Sequence, residues 1–358
     1  MSTVKLTCEM VEAAVLGGCV LGGGGGGSME EGRKMAQLAV NLSSPELIDI
    51  ENMDDDAILV NVAAVGAPSS KDAYAEPIHY LRALELMNRL ADVKICGIIT
   101  NEAGGLATVN GWLQAAMLGI PVVDAPCNGR AHPTGVMGAM GLHKNKDYKS
   151  IQAAVGGSRE RGTFTEVVAT GSVERVSAIV RAAAVQAGGL VSVARNPVSC
   201  RYARDNAAVG AVKQAINLGR EMIKAREKGP KAVIRAACDF LKGEVVVTGT
   251  VERVYLESAG GFDVGKVVLE NGFEIFFWNE YMTLEKTGER LATFPDLIMT
   301  LDADTGIPVT SAEIKEGQNI AVLKVEKERL KLGAGMRDPE LFKACERAIG
   351  KKILEYVF

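Results

Sequence analysis

Six consecutive glycines, Gly22 to Gly27, separate an apolar segment from a predicted helix. Holding so many glycines in one conformation costs backbone entropy. In return, glycines allow positive φ angles and the close approach of another part of the backbone. Ser28 and Glu31 follow in an S-x-x-E pattern, which predicts a capped helix directly after the glycines. Such a turn presents free N–H groups and the positive end of the helix dipole.

We therefore predict that the glycine run binds an anionic or carbonyl oxygen of a ligand. The residues of this predicted binding loop are Gly24, Gly25, Gly26, Gly27 and Ser28. The alternative is a flexible loop that needs glycines only for close packing. No Lys-Ser or Lys-Thr pair follows the last glycine, and residues 57–68 lack the acidic residue of a dinucleotide fold. No nucleotide cofactor is expected, and an NAD-linked enzyme is a third, disfavoured function class.

Apolar strand-like segments alternate with helical patterns over the first half of the chain. Buried strands are predicted at 57–67, 93–100 and 120–126, with helices at 76–92 and 106–119 between them. This alternation is typical of an α/β domain whose mostly parallel sheet is covered by helices on both faces. The spacing also predicts helices at 173–187, 206–228 and 230–241.

The pattern changes near Gly243, where short β-rich runs with Gly or Asn-Gly turns begin. They predict an antiparallel barrel or sandwich that contributes little chemistry. Asn279 and Glu280 are the exception, because they follow four large apolar residues. The preferred interpretation of these two residues is a strand end with a solvated turn.

The predicted domains are an N-terminal α/β domain and a second domain of three parts. Their bounds are 1–162 for the first and 163–358 for the second, the latter divided into an α/β segment 163–241, a β-rich segment 242–330 and a terminal helix 338–356.

Composition and net charge indicate which classes of binding partner to expect. The net charge of −4 gives no basic surface for nucleic acid. Seven scattered cysteines do not form a disulfide pattern, and no apolar stretch is long enough to cross a membrane. The N-terminus lacks the features of a secretory signal. We expect a cytoplasmic homo-oligomer that binds a small molecule.

Two loops after predicted strands carry the candidate site. Asn101 and Glu102 follow the second strand, and the third strand is followed by a loop rich in polar residues. Ligands of open α/β sheets bind at such strand ends. The candidates in the second loop are Asp124, Cys127, Asn128, Arg130 and His132.

The second loop supports more than one chemistry. A thiol beside an imidazole makes an activated nucleophile, so Cys127 and His132 are candidates for catalysis with Asp124 and Arg130. Asp124, Cys127 and His132 are equally the ligand types of a divalent metal such as zinc, although the spacing matches no metal motif. The third possibility is a simple turn with a buried core thiol.

Because this loop and the glycine run both follow apolar strand-like segments, we expect them to face each other across one cleft.

Three long stretches, residues 21–33, 101–135 and 294–323, together resemble the S-methyl thiohydantoin desulfurase family. The resemblance covers nearly the whole chain in the right order. It implies a three-layer α/β domain followed by a part that contains a β-barrel. It also implies displacement of methanethiol from a five-membered S-methyl thiohydantoin ring, leaving a hydantoin. Many members carry phenylalanine at the place of His132 and glutamate at the place of Thr134, which places this chain in a subgroup.

The resemblance and the residues lead to one preferred function and one alternative. The preferred function is a hydrolase acting on a small cyclic amide or thioamide. There Cys127 is nucleophile or metal ligand, His132 is base and then acid, and Arg130 is a carbonyl partner. Asn101, Glu102 and Asn128 bind substrate. The alternative is a non-catalytic, ligand-binding or partner subunit of a hydantoinase-type assembly.

Overall fold

The computed structural model describes residues 3–67, 69–92 and 94–358. The helices are α1 (Cys8–Gly22), α2 (Met29–Leu42), α3 (Pro77–Leu90), α4 (Trp112–Leu118), α5 (Val173–Gln186), α6 (Cys200–Asn206), α7 (Ala211–Ala225), α8 (Pro230–Leu241), α9 (Pro339–Ile349) and α10 (Leu354–Val357). The strands of the first half are β1 (Thr3–Lys5), β2 (Glu46–Ile48), β3 (Ile58–Gly66), β4 (Ile95–Thr100), β5 (Val122–Val123), β6 (Ser150–Gly156), β7 (Thr165–Gly171) and β8 (Leu190–Ser199). The later strands are β9 (Glu244–Ala259), β10 (Phe262–Leu269), β11 (Phe273–Trp278), β12 (Glu280–Lys286), β13 (Glu289–Thr293), β14 (Leu297–Asp302), β15 (Pro308–Val309) and β16 (Asn319–Val325).

The first eight strands form one mixed sheet in the order β1-β2-β5-β4-β3-β8-β6-β7. Its central strands β2, β5, β4 and β3 pair in parallel, as the apolar runs predict. The outer strand β1 and the strands β8, β6 and β7 pair antiparallel. Strands on both sides of residue 163 therefore share this sheet, and the predicted domain boundary there stays a prediction.

The last eight strands form a second, antiparallel sheet, which confirms the predicted β-rich character of this region. Its order is β13-β12-β11-β10-β9-β16-β14-β15. The sheet has β13 and β15 at its edges, so no closed barrel forms within the described residues. The barrel or sandwich is thus not confirmed, although a separate apolar core lies among these strands around Phe277 and Tyr281.

The apolar segment before the glycines is a helix, α1, where we expected a strand-like segment. Its residues from Ala13 to Gly22 are all buried, because it packs in the core of the protein against α7 and α2. Three other helical predictions need correction. The helix expected at 106–119 is a short 3₁₀ helix, Ala107–Val109, followed by α4. The helix expected at 206–228 is α6 and α7 with a break at residues 207–210, and the terminal helix is divided after Ile349 by Gly350. Among the described residues, no helix is both long and apolar enough to cross a bilayer.

Candidate functional site

A cavity of about 730 Å³ lies where the glycine run, the ends of β3 and β4 and the start of β12 meet. Gly24 to Ser28 line it on one side, and Asn101 and Glu102 line it just after β4. The other predicted loop reaches the cavity only with its last residues, His132 to Gly135. The structure thus brings part of both predicted loops to one cleft.

The carbonyl groups of the glycine run are bound by the surrounding protein. Gly24 O accepts hydrogen bonds from the amide and the hydroxyl of Ser311, at 2.9 and 3.1 Å. Gly26 O accepts from the amides of Leu106 and Ala107. Within the described residues, the amides of Gly26 and Gly27 donate no hydrogen bond to the protein. Because α2 begins directly after them, these two N–H groups and the helix dipole remain for a ligand.

The positive φ angles of the run explain its composition. Gly23, Gly24, Gly26 and Gly27 all have φ between 57° and 93°, a region that side chains disfavour. A Cβ atom on Gly26 would also lie 2.4 Å from the Cα atom of Gly104. The glycines therefore serve both backbone conformation and close packing.

Asn101 is held in one orientation at the inner end of the cavity. Its Oδ1 accepts hydrogen bonds from Arg195 Nη2 at 2.7 Å and from Asn61 Nδ2 at 3.0 Å. Since both partners are donors, the amide orientation is fixed, and Asn101 Nδ2 must donate. It donates to Glu102 Oε2 at 3.2 Å and to His132 Nε2 at 3.1 Å.

These contacts also set the tautomer of His132. Its Nδ1 lies 2.9 Å from the carbonyl oxygen of Thr134, which can only accept, so the hydrogen is on Nδ1. Nε2 then carries a lone pair 3.2 Å from Glu102 Oε2. Burial, and next the charge of Arg195, lowers the pKa of His132 to about 3. His132 is therefore a neutral imidazole.

Glu102 can take up a proton near neutral pH. Burial raises its pKa to about 7, although the His132 amide donates to its carboxylate. The protonated form shares the His132 Nε2 lone pair with Asn101 Nδ2, which already donates to it, whereas the ionised carboxylate faces this lone pair with no hydrogen between them.

Glu280 brings a second buried carboxyl group to the cavity from the antiparallel sheet. Only 3% of the residue is exposed, and Oε2 has no hydrogen-bond partner among the described residues. Burial and the neighbouring Glu102 raise the pKa of Glu280 well above its usual value. The carboxyl group lies on the glycine run, since a Cβ on Gly25 would be 2.2 Å from Glu280 Oε1. The interpretation of residues 279–280 as a solvated strand end is therefore wrong.

Three arginines surround these carboxyl groups, of which Arg130 and Arg195 are buried and Arg181 is partly buried. Arg181 and Arg195 line the cavity, whereas Arg130 lies beneath the glycine run, where its Nη2 would be 2.7 Å from a Cβ on Gly23. Arg130 Nη1 donates to Pro295 O at 3.0 Å, and Nη2 has no partner among the described residues. The guanidinium also lies 4.5 Å from the centre of the Phe294 ring. Arg130 is thus beside the predicted site without lining the cavity.

Asp124, Cys127 and Asn128 do not line the cavity. Asp124 caps α7, accepting from the amides of Val212 at 2.8 Å and Lys213 at 3.3 Å. Asn128 joins two loops through Met137 O and the amide of Gly333.

Cys127 lies in an apolar cluster, fully buried, and burial raises its thiol pKa to about 12. A nucleophilic cysteine needs a lowered pKa and some exposure, and this thiol has neither. The expected metal ligands Asp124, Cys127 and His132 are not assembled either. In the described part of the chain, no three His, Cys, Asp or Glu side chains are grouped to hold a metal ion.

Comparison with known proteins supports one family over most of the chain. The S-Me-THD-like N-terminal domain matches residues 9–160, and the S-Me-THD-like C-terminal domain matches residues 171–336. The chain belongs to the S-Me-THD-like family. This confirms the resemblance to S-methyl thiohydantoin desulfurases and suggests a thiohydantoin-related role. No curated protein matches the chain.

An X-ray crystal structure of a protein from Chromobacterium violaceum is similar to this chain. It is 23% identical in sequence, with a TM-score of 0.72 over 96% of this chain and 95% of that one. At this identity, the likeness shows the fold alone. The two-sheet architecture is therefore found in a second protein.

Sequence reasoning missed three site residues of this S-Me-THD-like chain. Asn61 is the lone polar residue inside the buried strand β3, whereas Arg195 stands inside β8 with Ser192 and Asn196, among buried apolar residues. Arg181 is similarly placed in the apolar half of α5. Sequence reasoning could have found these residues, because a polar side chain within an apolar, buried run requires hydrogen-bond partners in the core.

Proposed function

We propose that the chain is a hydrolase that displaces methanethiol from S-methyl thiohydantoin-type rings in the cavity beside the glycine run. The observation that supports this most directly is the pair of carboxyl groups that face one cavity, the partly buried Glu102 and the buried Glu280. Their environments separate their roles, because burial raises the pKa of Glu102 to about 7, while burial and the charge of Glu102 together raise the pKa of Glu280 well above its usual value. Such a pair supplies one base and one acid.

The reaction adds water and removes a thiol. The water oxygen forms a bond to the ring carbon that carries sulfur, and the Glu102–His132 pair accepts the water proton. The carbon–sulfur bond then breaks, and Glu280 gives its proton to the departing methanethiolate. As the carbonyl group forms, the second water proton passes to the ring nitrogen that loses its double bond to this carbon, giving hydantoin and methanethiol. The proton held by the Glu102–His132 pair then replaces the one that Glu280 donated.

The rest of the cavity holds the ring and its developing charge. The amides of Gly26 and Gly27 donate to a ring carbonyl or oxyanion, as in an oxyanion hole. Arg181 and Arg195 add positive charge around the carboxylate form of Glu102. Both guanidiniums are held in place: Arg181 donates to Gly66 O and Gly261 O, and Arg195 donates to Asn101.

Methanethiol release by the purified chain tests this proposal. We expect release from an S-methyl thiohydantoin, and a fall of about 10²–10⁴-fold in the Glu102→Gln variant. Glu252→Gln is the matched control, because Glu252 is exposed on β9, and it should keep normal turnover. Binding of the ring without any release would favour the non-catalytic subunit instead.

A further inference from the structure

The cavity is larger than a five-membered ring requires. Its volume of about 730 Å³ is within the range of sites that enclose drug-sized ligands. The groups assigned to the reaction come from the strand ends and the glycine run. The remaining space is bounded by a different set of elements.

This remaining space is bounded mainly by apolar side chains of α2, α3 and the segment before α3. Met35 and Leu38 line it from α2, at positions three apart on one helix face. Ala73, Pro77 and Tyr80 line it from the other side. We name these five residues the apolar wall.

The apolar wall is accessible from outside at one end. Met35 and Tyr80 are 9% and 3% exposed, whereas Leu38 is 36% exposed. Next to Leu38 on α2, Lys34 pairs with Glu30 at 2.8 Å and with Glu31 at 3.0 Å, so this part of the rim keeps a net negative charge. An anionic group entering this space would lose hydration without finding a free partner there, whereas an apolar group would gain by burial.

Because the reacting groups and the apolar wall occupy different parts of the cavity, we infer that the apolar wall receives an apolar substituent carried by the substrate ring. The preferred substrate is therefore a ring with an aliphatic or aromatic side chain, rather than an unsubstituted or anionic one. This inference rests on the proposed function, because it places the ring at Glu102 and Glu280.

The test compares S-methyl thiohydantoins prepared from glycine, leucine and glutamic acid. We expect kcat/KM for the leucine-derived ring to exceed that for each of the other two by at least about tenfold, from the methylene groups buried. Equal values for the glycine- and leucine-derived rings would overturn the inference, as would preference for the glutamate-derived ring.

A variant that fills the space gives the second arm of the test. Ala73→Phe is expected to lower the leucine-to-glycine ratio of kcat/KM about tenfold, because the added ring occupies the place of the substituent. Ile78→Phe is the control, since Ile78 is 58% exposed and does not line this cavity. It should leave the ratio unchanged. An unchanged ratio in Ala73→Phe contradicts the inference.

Failure of the proposed function is distinguishable from failure of this inference. If no ring releases methanethiol, the reaction is wrong, and thermal shifts with the corresponding hydantoins still measure binding. A larger stabilisation by the leucine-derived hydantoin than by the unsubstituted one then supports the apolar wall, and equal shifts reject it.

Discussion

Glu102 Oε2 lies 3.2 Å from His132 Nε2, and the same carboxylate oxygen accepts a hydrogen bond from the backbone amide of His132. The imidazole Nε2 carries a lone pair, because Nδ1 donates to Thr134 O. The side-chain contact is therefore favourable when Glu102 is protonated. The backbone contact favours the ionised form instead, which keeps both forms accessible near neutral pH.

The first prediction concerns stability between pH 6.5 and 8. Glu102 has a pKa of about 7 in the folded chain, above its ordinary value, so the folded state binds more protons than the unfolded state in this range. The free energy of unfolding should fall as pH rises through 7. Glu102→Gln should make this decline shallower, as measured by urea unfolding at several pH values.

The choice of pH range separates Glu102 from His132, whereas Glu280, whose pKa is also raised, adds a decline of the same sign. The pKa of His132 is lowered to about 3 in the folded chain, so His132 costs stability only as pH falls below its usual pKa, about 6.5. Glu252→Gln is again the control and should retain the wild-type slope. An identical slope in Glu102→Gln would contradict a raised pKa at this residue.

The second prediction concerns the pH profile of turnover. Since Glu280 acts as the acid, kcat/KM should rise through about pH 7 with ionisation of Glu102 and fall at higher pH when Glu280 loses its proton. Glu280→Gln should lower kcat/KM by about 10²–10⁴-fold and remove the alkaline fall, while the rise near pH 7 remains. Retention of both limbs would assign the acid to another group.

The strand ends and the glycine run could be located from the sequence, because apolar runs and glycines determine local structure directly. The segment 8–22 could not be assigned, since a helix buried on all sides has no polar face and its periodicity resembles that of a buried strand. Its apolar residues are explained only by tertiary packing against α7.

The site was harder to predict than the fold. Cys127 and His132 are five residues apart, yet only His132 reaches the cavity, because the chain between them turns away from the apolar cluster that holds the thiol. Glu280 comes from the other sheet and meets Gly25 across more than 250 residues of sequence, from 25 to 280. This contact depends on how the two sheets pack against each other, and no local sequence pattern encodes that packing.

The third prediction concerns Gly25, the glycine on which Glu280 lies. A Cβ on Gly25 would be 2.2 Å from Glu280 Oε1 and 2.7 Å from its Cγ, so Gly25→Ala must displace this side chain. We expect turnover to fall by at least about tenfold, because small displacements of catalytic groups are costly. Gly249→Ala is the control, since its nearest described atom would be 3.9 Å from the new Cβ. Equal turnover in the two variants would separate Glu280 from the reaction.

The last prediction concerns Cys127, the nucleophile expected from the sequence. Its thiol is fully buried in an apolar cluster, and burial raises its pKa to about 12, so little thiolate forms at neutral pH. We expect Cys127→Ser to keep turnover within a few-fold of wild type. We also expect a loss of about 1–3 kcal/mol of stability, because the serine hydroxyl is buried without a partner. Cys96→Ser should lose less, since Cys96 is partly exposed and its thiol donates to Lys94 O. Urea unfolding and methanethiol release measured on the same preparations separate these outcomes: a Cys127→Ser protein that is stable but inactive would restore the thiol as nucleophile, in place of the water that the Glu102–His132 pair activates.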